Sequence, residues 1–183
     1  MSRSAGQGDV LLAANAILVT FIGIAAYGLD GFAHAAETLV GSAIGARNRE
    51  SFRTAVRLTT ICAAGVAVAA TAMFAAAGPL LIDAMTAIAS VREAAHRFLP
   101  WAAAYPLFAV WCFQLDGIYI GATRTAEMRN GMALSLAALL GLGYALMPAF
   151  GNHGLWAAFL GFAAFRGLTL AFWYPRLLRG FAA

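Results

Sequence analysis

Val10 to Leu29 contains no charged residue, and that uncharged run most constrains what the chain can fold into. A helix of about 20 residues crosses the hydrocarbon core of a bilayer. Inside lipid every backbone N–H and C=O must find its partner within the protein, which leaves only helices and closed barrels. Four more apolar segments follow, Leu58 to Ile82, Phe98 to Leu115, Gly131 to Gly151 and Leu155 to Tyr174. The expected fold is an all-α integral membrane protein, a polytopic bundle of five transmembrane helices. Its spans are expected at roughly 11–46, 54–78, 97–122, 130–150 and 154–175, in one domain from 10 to 183 after a short polar N-terminus at 1–9. Charged residues make up 11% of the chain, against about 25% in soluble domains, and no stretch between apolar segments is long enough for a soluble domain. The first nine residues, MSRSAGQGD, do not read as a signal peptide, because no short apolar core ends at a cleavage site.

The net charge of +4 comes from arginine alone. The arginines fall between apolar segments, so they report topology rather than nucleic-acid binding. Arg47 to Arg57, Arg124 to Arg129 and the C-terminal tail hold eight arginines on one side of a five-helix arrangement; Arg3, Arg92 and Arg97 lie on the other. That asymmetry predicts a multi-pass protein of the inner (plasma) membrane, with the C-terminus cytoplasmic and the N-terminus outside. An outside N-terminus without a leader fits a piece that normally has another helix before it.

The helical pattern of the first segment continues into Tyr27 to Arg47, YGLDGFAHAAETLVGSAIGAR. An unbroken helix to Ala46 would measure about 55 Å, so it is expected to tilt, project or bend near Gly28 and Gly31. Asp30, His34 and Glu37 share one helix face by their spacing. Ionisable groups at membrane depth tend to face a bundle interior or a water-filled cavity, so this stripe is a candidate for cation binding or proton relay, with Glu37 expected within reach of another helix, near Arg166. The bland alternative places it among headgroups as capping and packing residues. A metal site is not expected, since His34 is the only histidine there. Gly41 and Gly45 form a G-x-x-x-G pair that lets another helix approach closely.

A second cluster lies in FQLDGIYIGATRTAEMRNG, Phe113 to Gly131. It offers Gln114, Asp116 and Tyr119 as cavity residues and Gly117 with Gly121 as a second packing pair. Asp116 reads equally as an interfacial aspartate. Arg166 stands alone in its segment and either pairs with Glu37 or Asp116, or snorkels to the interface. Gly78-Pro79 reads as a helix stop, Leu80 to Arg97 as an amphipathic interfacial segment, Pro106 as a kink, Gly151 to Gly154 as a short turn and Pro175 as the stop of the last helix. Cys62 and Cys112 read as packing residues. No serine–histidine dyad, P-loop or C-x-x-C is present, and Asp116-Gly117 with Ala122 and Arg124 has the wrong spacing for a phosphatidyltransferase aspartate motif. An enzyme is therefore not expected.

LDGFAHAAETLVGSAIGAR, QLDGIYIGATRTAEMRNGM and LAANAIL at Leu12 to Leu18 resemble the multidrug and toxic compound extrusion (MATE) family, in its DinF branch. The first resembles the eighth of that family's twelve helices, the second its tenth, and the third the junction before the eighth. The resemblance implies a partial C-lobe, helices eight to twelve, of a secondary transporter exchanging a small organic or cationic substrate against protons or sodium. No other cofactor is implied. The implied partners are the lipid bilayer and either the missing N-terminal lobe or a second copy; nucleic acid is not among them. The first lobe and the seventh helix have no counterpart here, so the chain is expected to be inactive alone. The alternative is a small membrane scaffold or accessory subunit without transport of its own.

Overall fold

The computed structural model describes residues 2–179, and the side chains of residues 8–178. Five helices run in sequence: α1 (Ser2–Gly45), α2 (Arg49–Met85), α3 (Ala89–Gly121), α4 (Thr125–Phe150) and α5 (Asn152–Arg179). All five are long and apolar enough to cross a membrane. Three connections are three residues long, and α4 and α5 are separated by Gly151 alone. Such short links leave sequential helices antiparallel. The ends of α1, α3 and α5 therefore meet the starts of α2 and α4. A cluster at that end joins Val40, Phe52, Tyr119, Met128 and Leu177, one from each helix, and the three arginine-bearing segments lie there.

Both turns at the arginine-rich end have the same construction. Arg47 and Thr123 take positive φ, 52° and 56°. Asn48 N–H then donates to Ala43 C=O and Arg47 N–H to Ile44 C=O, as Arg124 N–H does to Tyr119 and Thr123 N–H to Ile120. These crossed bonds satisfy carbonyls that a helix end leaves unpaired. Asn48 also caps α2, its side chain accepting from Ser51 N–H at 3.0 Å.

α3 is the central element and packs against all four others. α1 lies closest to it, and glycine explains the approach. A Cβ on Gly117 would strike the Ala33 backbone, and one on Gly121 the Glu37 backbone. Gly41 sits on the same seam, where a Cβ would meet Gly121 O at 3.4 Å. Gly45 does not belong to it: a Cβ there meets nothing within 4 Å, because α1 ends at that point and no neighbour crosses it.

The proline punctuation reads differently in three dimensions. Pro79 lies inside α2 and Pro175 inside α5, so neither stops its helix. In lipid, ending a helix exposes more unpaired backbone than the single carbonyl a proline frees, so the helix continues. Gly78 meanwhile packs tightly on Leu99, whose side-chain carbons would lie 2.9 Å from a Cβ. Leu80 to Arg97 is not a separate interfacial segment. It divides between the end of α2 and the start of α3, where Asp83 Oδ1 holds Arg92 Nε at 3.1 Å and His96 Nε2 at 2.9 Å. Nor is Gly151 to Gly154 a turn beyond its first residue, since α5 begins at Asn152.

Candidate functional site

Asp116 and Arg166 form the one ion pair among the described residues in which both side chains are largely enclosed. Arg166 Nη2 lies 2.6 Å from Asp116 Oδ2, and the side chains are 19% and 17% exposed. The pair joins α3 to α5. Its position follows from Gly167, whose missing Cβ would lie 3.1 Å from Trp111 Cβ. That lets α5 approach α3 one residue away from the arginine. Removing two charges from water is costly unless their remaining hydrogen-bonding capacity is used. Here it is not: Asp116 Oδ1 and Arg166 Nε have no hydrogen-bond partner. The contact uses one nitrogen and one oxygen rather than the bidentate fork that guanidinium and carboxylate favour. One carboxylate oxygen is thus buried without a hydrogen-bond partner among the described residues.

The surroundings of this pair are mixed. Tyr105 and Cys112 lie within electrostatic range of Arg166, and Asp30 on α1 within range of Asp116. Tyr105, Cys112, Asp116 and Tyr119 fall on one side of α3 by spacing. Tyr119 is 1% exposed and its hydroxyl donates to Leu170 C=O at 2.8 Å, which makes it a tie between α3 and α5. Gln114 points elsewhere. Its Nε2 donates to Thr59 Oγ1 at 2.6 Å across α2, Thr59 in turn donates to Ala55 C=O at 2.8 Å, and Gln114 Oε1 has no partner. The expected cavity residues therefore divide over two faces of α3.

Asp30, His34 and Glu37 form a continuous ladder along α1. His34 Nε2 is 3.4 Å from Asp30 Oδ2 and His34 Nδ1 is 3.4 Å from Glu37 Oε2. Their side chains are 51%, 71% and 38% exposed, so the stripe lies on an open face of the described chain. The expected approach of Glu37 to Arg166 does not occur: Glu37 stays with His34 on its own helix and Asp116 takes the arginine. The reason is the seam itself. α1 presents the Ala33 and Glu37 backbone to Gly117 and Gly121, which turns the charged side chains of α1 beside the interface rather than into it. Among the described residues no group of three or more His, Cys, Asp or Glu is arranged to hold a metal ion.

One polar constellation has no counterpart in the sequence reading. Asn15 and Asn152 exchange amide hydrogen bonds at 2.8 and 3.0 Å, and Trp156 Nε1–H donates to Asn15 Oδ1 at 3.0 Å. The available signal is Asn15 itself, a lone amide in an uncharged run, which in lipid must find a partner. These bonds close the start of α5 onto α1.

The MatE family model matches residues 2–148 of the chain. DNA damage-inducible protein F of Escherichia coli (strain K12) is 40% identical over 168 residues, covering 90% of this chain and 36% of that protein. The chain thus spans 36% of the length of this curated relative. No solved structure matches it.

Proposed function

The chain belongs to the MatE family, and from that premise we propose that it forms part of the second lobe of a cation-coupled exporter, contributing helices eight to twelve of twelve. Its substrate would be a small organic or cationic compound, exchanged against protons or sodium, and the chain would not export alone. The observation that carries this reading is the enclosed Asp116–Arg166 pair with one carboxylate oxygen unused. A transporter needs a carboxylate whose partner can be exchanged, and a fully satisfied fork would resist that exchange. Arg166 holds Asp116 while no cation is bound; a proton or sodium ion on the free oxygen competes with that hold. The Asp30–His34–Glu37 ladder supplies a polar wall on the face that the rest of the protein would cover. Alternating access needs two bundles rocking about a site at their interface, and one bundle gives a site with one wall.

Drug-resistance complementation in an exporter-deficient host tests this reading. One strain carries the 183-residue chain, and another carries it joined to the seven upstream helices of its relative. Resistance is expected only in the second. Robust, ion-dependent export by the chain alone would overturn the proposal.

The proposed orientation has its own test. The arginine-rich end is placed in the cytoplasm by charge asymmetry, so reporter fusions after Arg179 should be active only as cytoplasmic reporters. A periplasmic signal would reverse the orientation.

A further inference from the structure

A polar cleft of about 470 Å³ opens at the arginine-rich end, between the start of α4 and the end of α5. Thr123, Arg124, Thr125 and Asn130 line it from the α3–α4 turn and α4, and Trp173 and Arg176 from α5. Two guanidinium groups, one from the α3–α4 turn and one from α5, thus face one space. Arg176 has no ion-pair or hydrogen-bond partner among the described residues. Arg124 has only Glu127, at 3.7 Å, beyond hydrogen-bonding range. Glu127 is also the single negative charge in the lining. The first turn of α4 adds the partial positive charge of a helix start. Arg124, Glu127 and Arg176 all lie within electrostatic range of the Tyr119 hydroxyl, so the cleft sits over the end of α3, at the membrane boundary of the bundle.

The surface beside the cleft identifies what kind of anion fits. One turn from Arg176, on the same face of α5, are Phe172 and then Leu168, 75% and 67% exposed. On α4, Met132 and Leu136 continue the face of Thr125 and are 41% and 49% exposed. A charged cleft therefore leads into two apolar stripes running toward the middle of the spans. A free phosphate would use only the cleft. A phospholipid would use both, with Trp173 at the depth where indole rings favour the headgroup boundary. We propose that this cleft binds the phosphodiester of an anionic phospholipid, held by Arg124 and Arg176 with the Thr125 hydroxyl as a further donor, while its acyl chains lie along Phe172/Leu168 and Met132/Leu136. This site is separate from Asp116 and does not depend on whether the chain transports.

Native mass spectrometry of the delipidated 183-residue chain in neutral detergent reads the binding directly. Phosphatidylglycerol is titrated in, with phosphatidylcholine and inorganic phosphate as competitors. Phosphatidylglycerol is expected to bind, phosphatidylcholine to compete poorly, and phosphate at millimolar concentration to leave the adduct intact. Arg124→Gln and Arg176→Gln should each weaken binding about fivefold, and the pair about 25-fold, from the usual contribution of one basic residue at an anionic surface. Arg176→Lys should retain most of the affinity, and Arg97→Gln at the opposite end all of it. Helicity by circular dichroism accompanies each variant. If the double glutamine variant does not fold, the competition arms on the unaltered chain and the Arg176→Lys titration still decide. Equal binding by the double variant, or equal competition by phosphatidylcholine, would overturn the site. Full displacement by inorganic phosphate would overturn the lipid as its ligand.

Discussion

Gly117→Val should separate α1 from α3 and destabilise the bundle by more than about 3 kcal/mol, the upper part of the range for overpacking. The neighbours of a Cβ at this position are backbone atoms, with Ala33 C at 2.8 Å and Ala33 Cα at 2.9 Å. A side chain in the way can change rotamer; a helix backbone can only move away. Gly121→Val should be comparable, since Glu37 C and Cα would lie at 3.1 Å. Gly41→Ala, facing Gly121 O at 3.4 Å, should be milder. Gly45→Ala meets open space and should be neutral, or stabilising by up to about 1 kcal/mol through helix propensity. Unfolding in mixed micelles of dodecyl sulfate and a neutral detergent ranks the four. A Gly117→Val protein as stable as Gly45→Ala would remove the seam from the account.

That series also marks where sequence reasoning reached the structure and where it stopped. Five helices were legible because bilayer thickness fixes the length of an apolar run, so Val10 to Leu29 carried its meaning alone. The Gly117/Gly121 seam was legible because a four-residue repeat of glycine has few other uses in a membrane helix. Gly45 has the same spacing from Gly41 yet packs on nothing, because whether a neighbour crosses at that height depends on where α1 ends. The proline stops at Pro79 and Pro175 failed for a different reason. They apply a rule suited to chains surrounded by water, where a freed carbonyl has somewhere to go. The partner of Arg166 was open between Glu37 and Asp116. Its choice rests on Gly167 against Trp111, a contact between helices far apart in the chain that no local pattern encodes. The cluster of Asn15, Asn152 and Trp156 was hidden likewise: Asn15 announces a need for a partner, and the partner lies at the other end of the sequence.

The Asp116–Arg166 pair should show strong coupling. Asp116→Leu leaves a mostly enclosed guanidinium without its counter-charge, and Arg166→Met leaves a carboxylate. Breaking a buried pair from one side costs about 3–5 kcal/mol. Both side chains keep nearly a fifth of their surface exposed, so each single variant should fall near the lower end of that range. Asp116→Leu/Arg166→Met removes both charges together and should recover most of the lost stability, as replacements of whole buried pairs commonly do. The non-additivity is read from the same unfolding assay. Additive losses would mean that the two residues act separately and that their 2.6 Å contact contributes little.

Stability alone does not separate a structural clamp from a coupling site, because a clamp would show the same cycle. The separating measurement is gradient-driven dye export by everted vesicles containing this chain joined to the upstream helices of its Escherichia coli relative, with Asp116→Asn/Arg166→Gln compared with the chain joined in the same way and otherwise unaltered. Asparagine matches aspartate in shape; glutamine is shorter than arginine and does not reach it, but neither side chain leaves an enclosed charge unpaired, so the assembled protein should remain folded and inserted. Export driven by a proton or sodium gradient is expected to be lost in this variant while its quantity and thermal stability in the membrane are kept. Undiminished gradient-driven export by Asp116→Asn/Arg166→Gln would contradict this expectation and leave the pair as a clamp between α3 and α5.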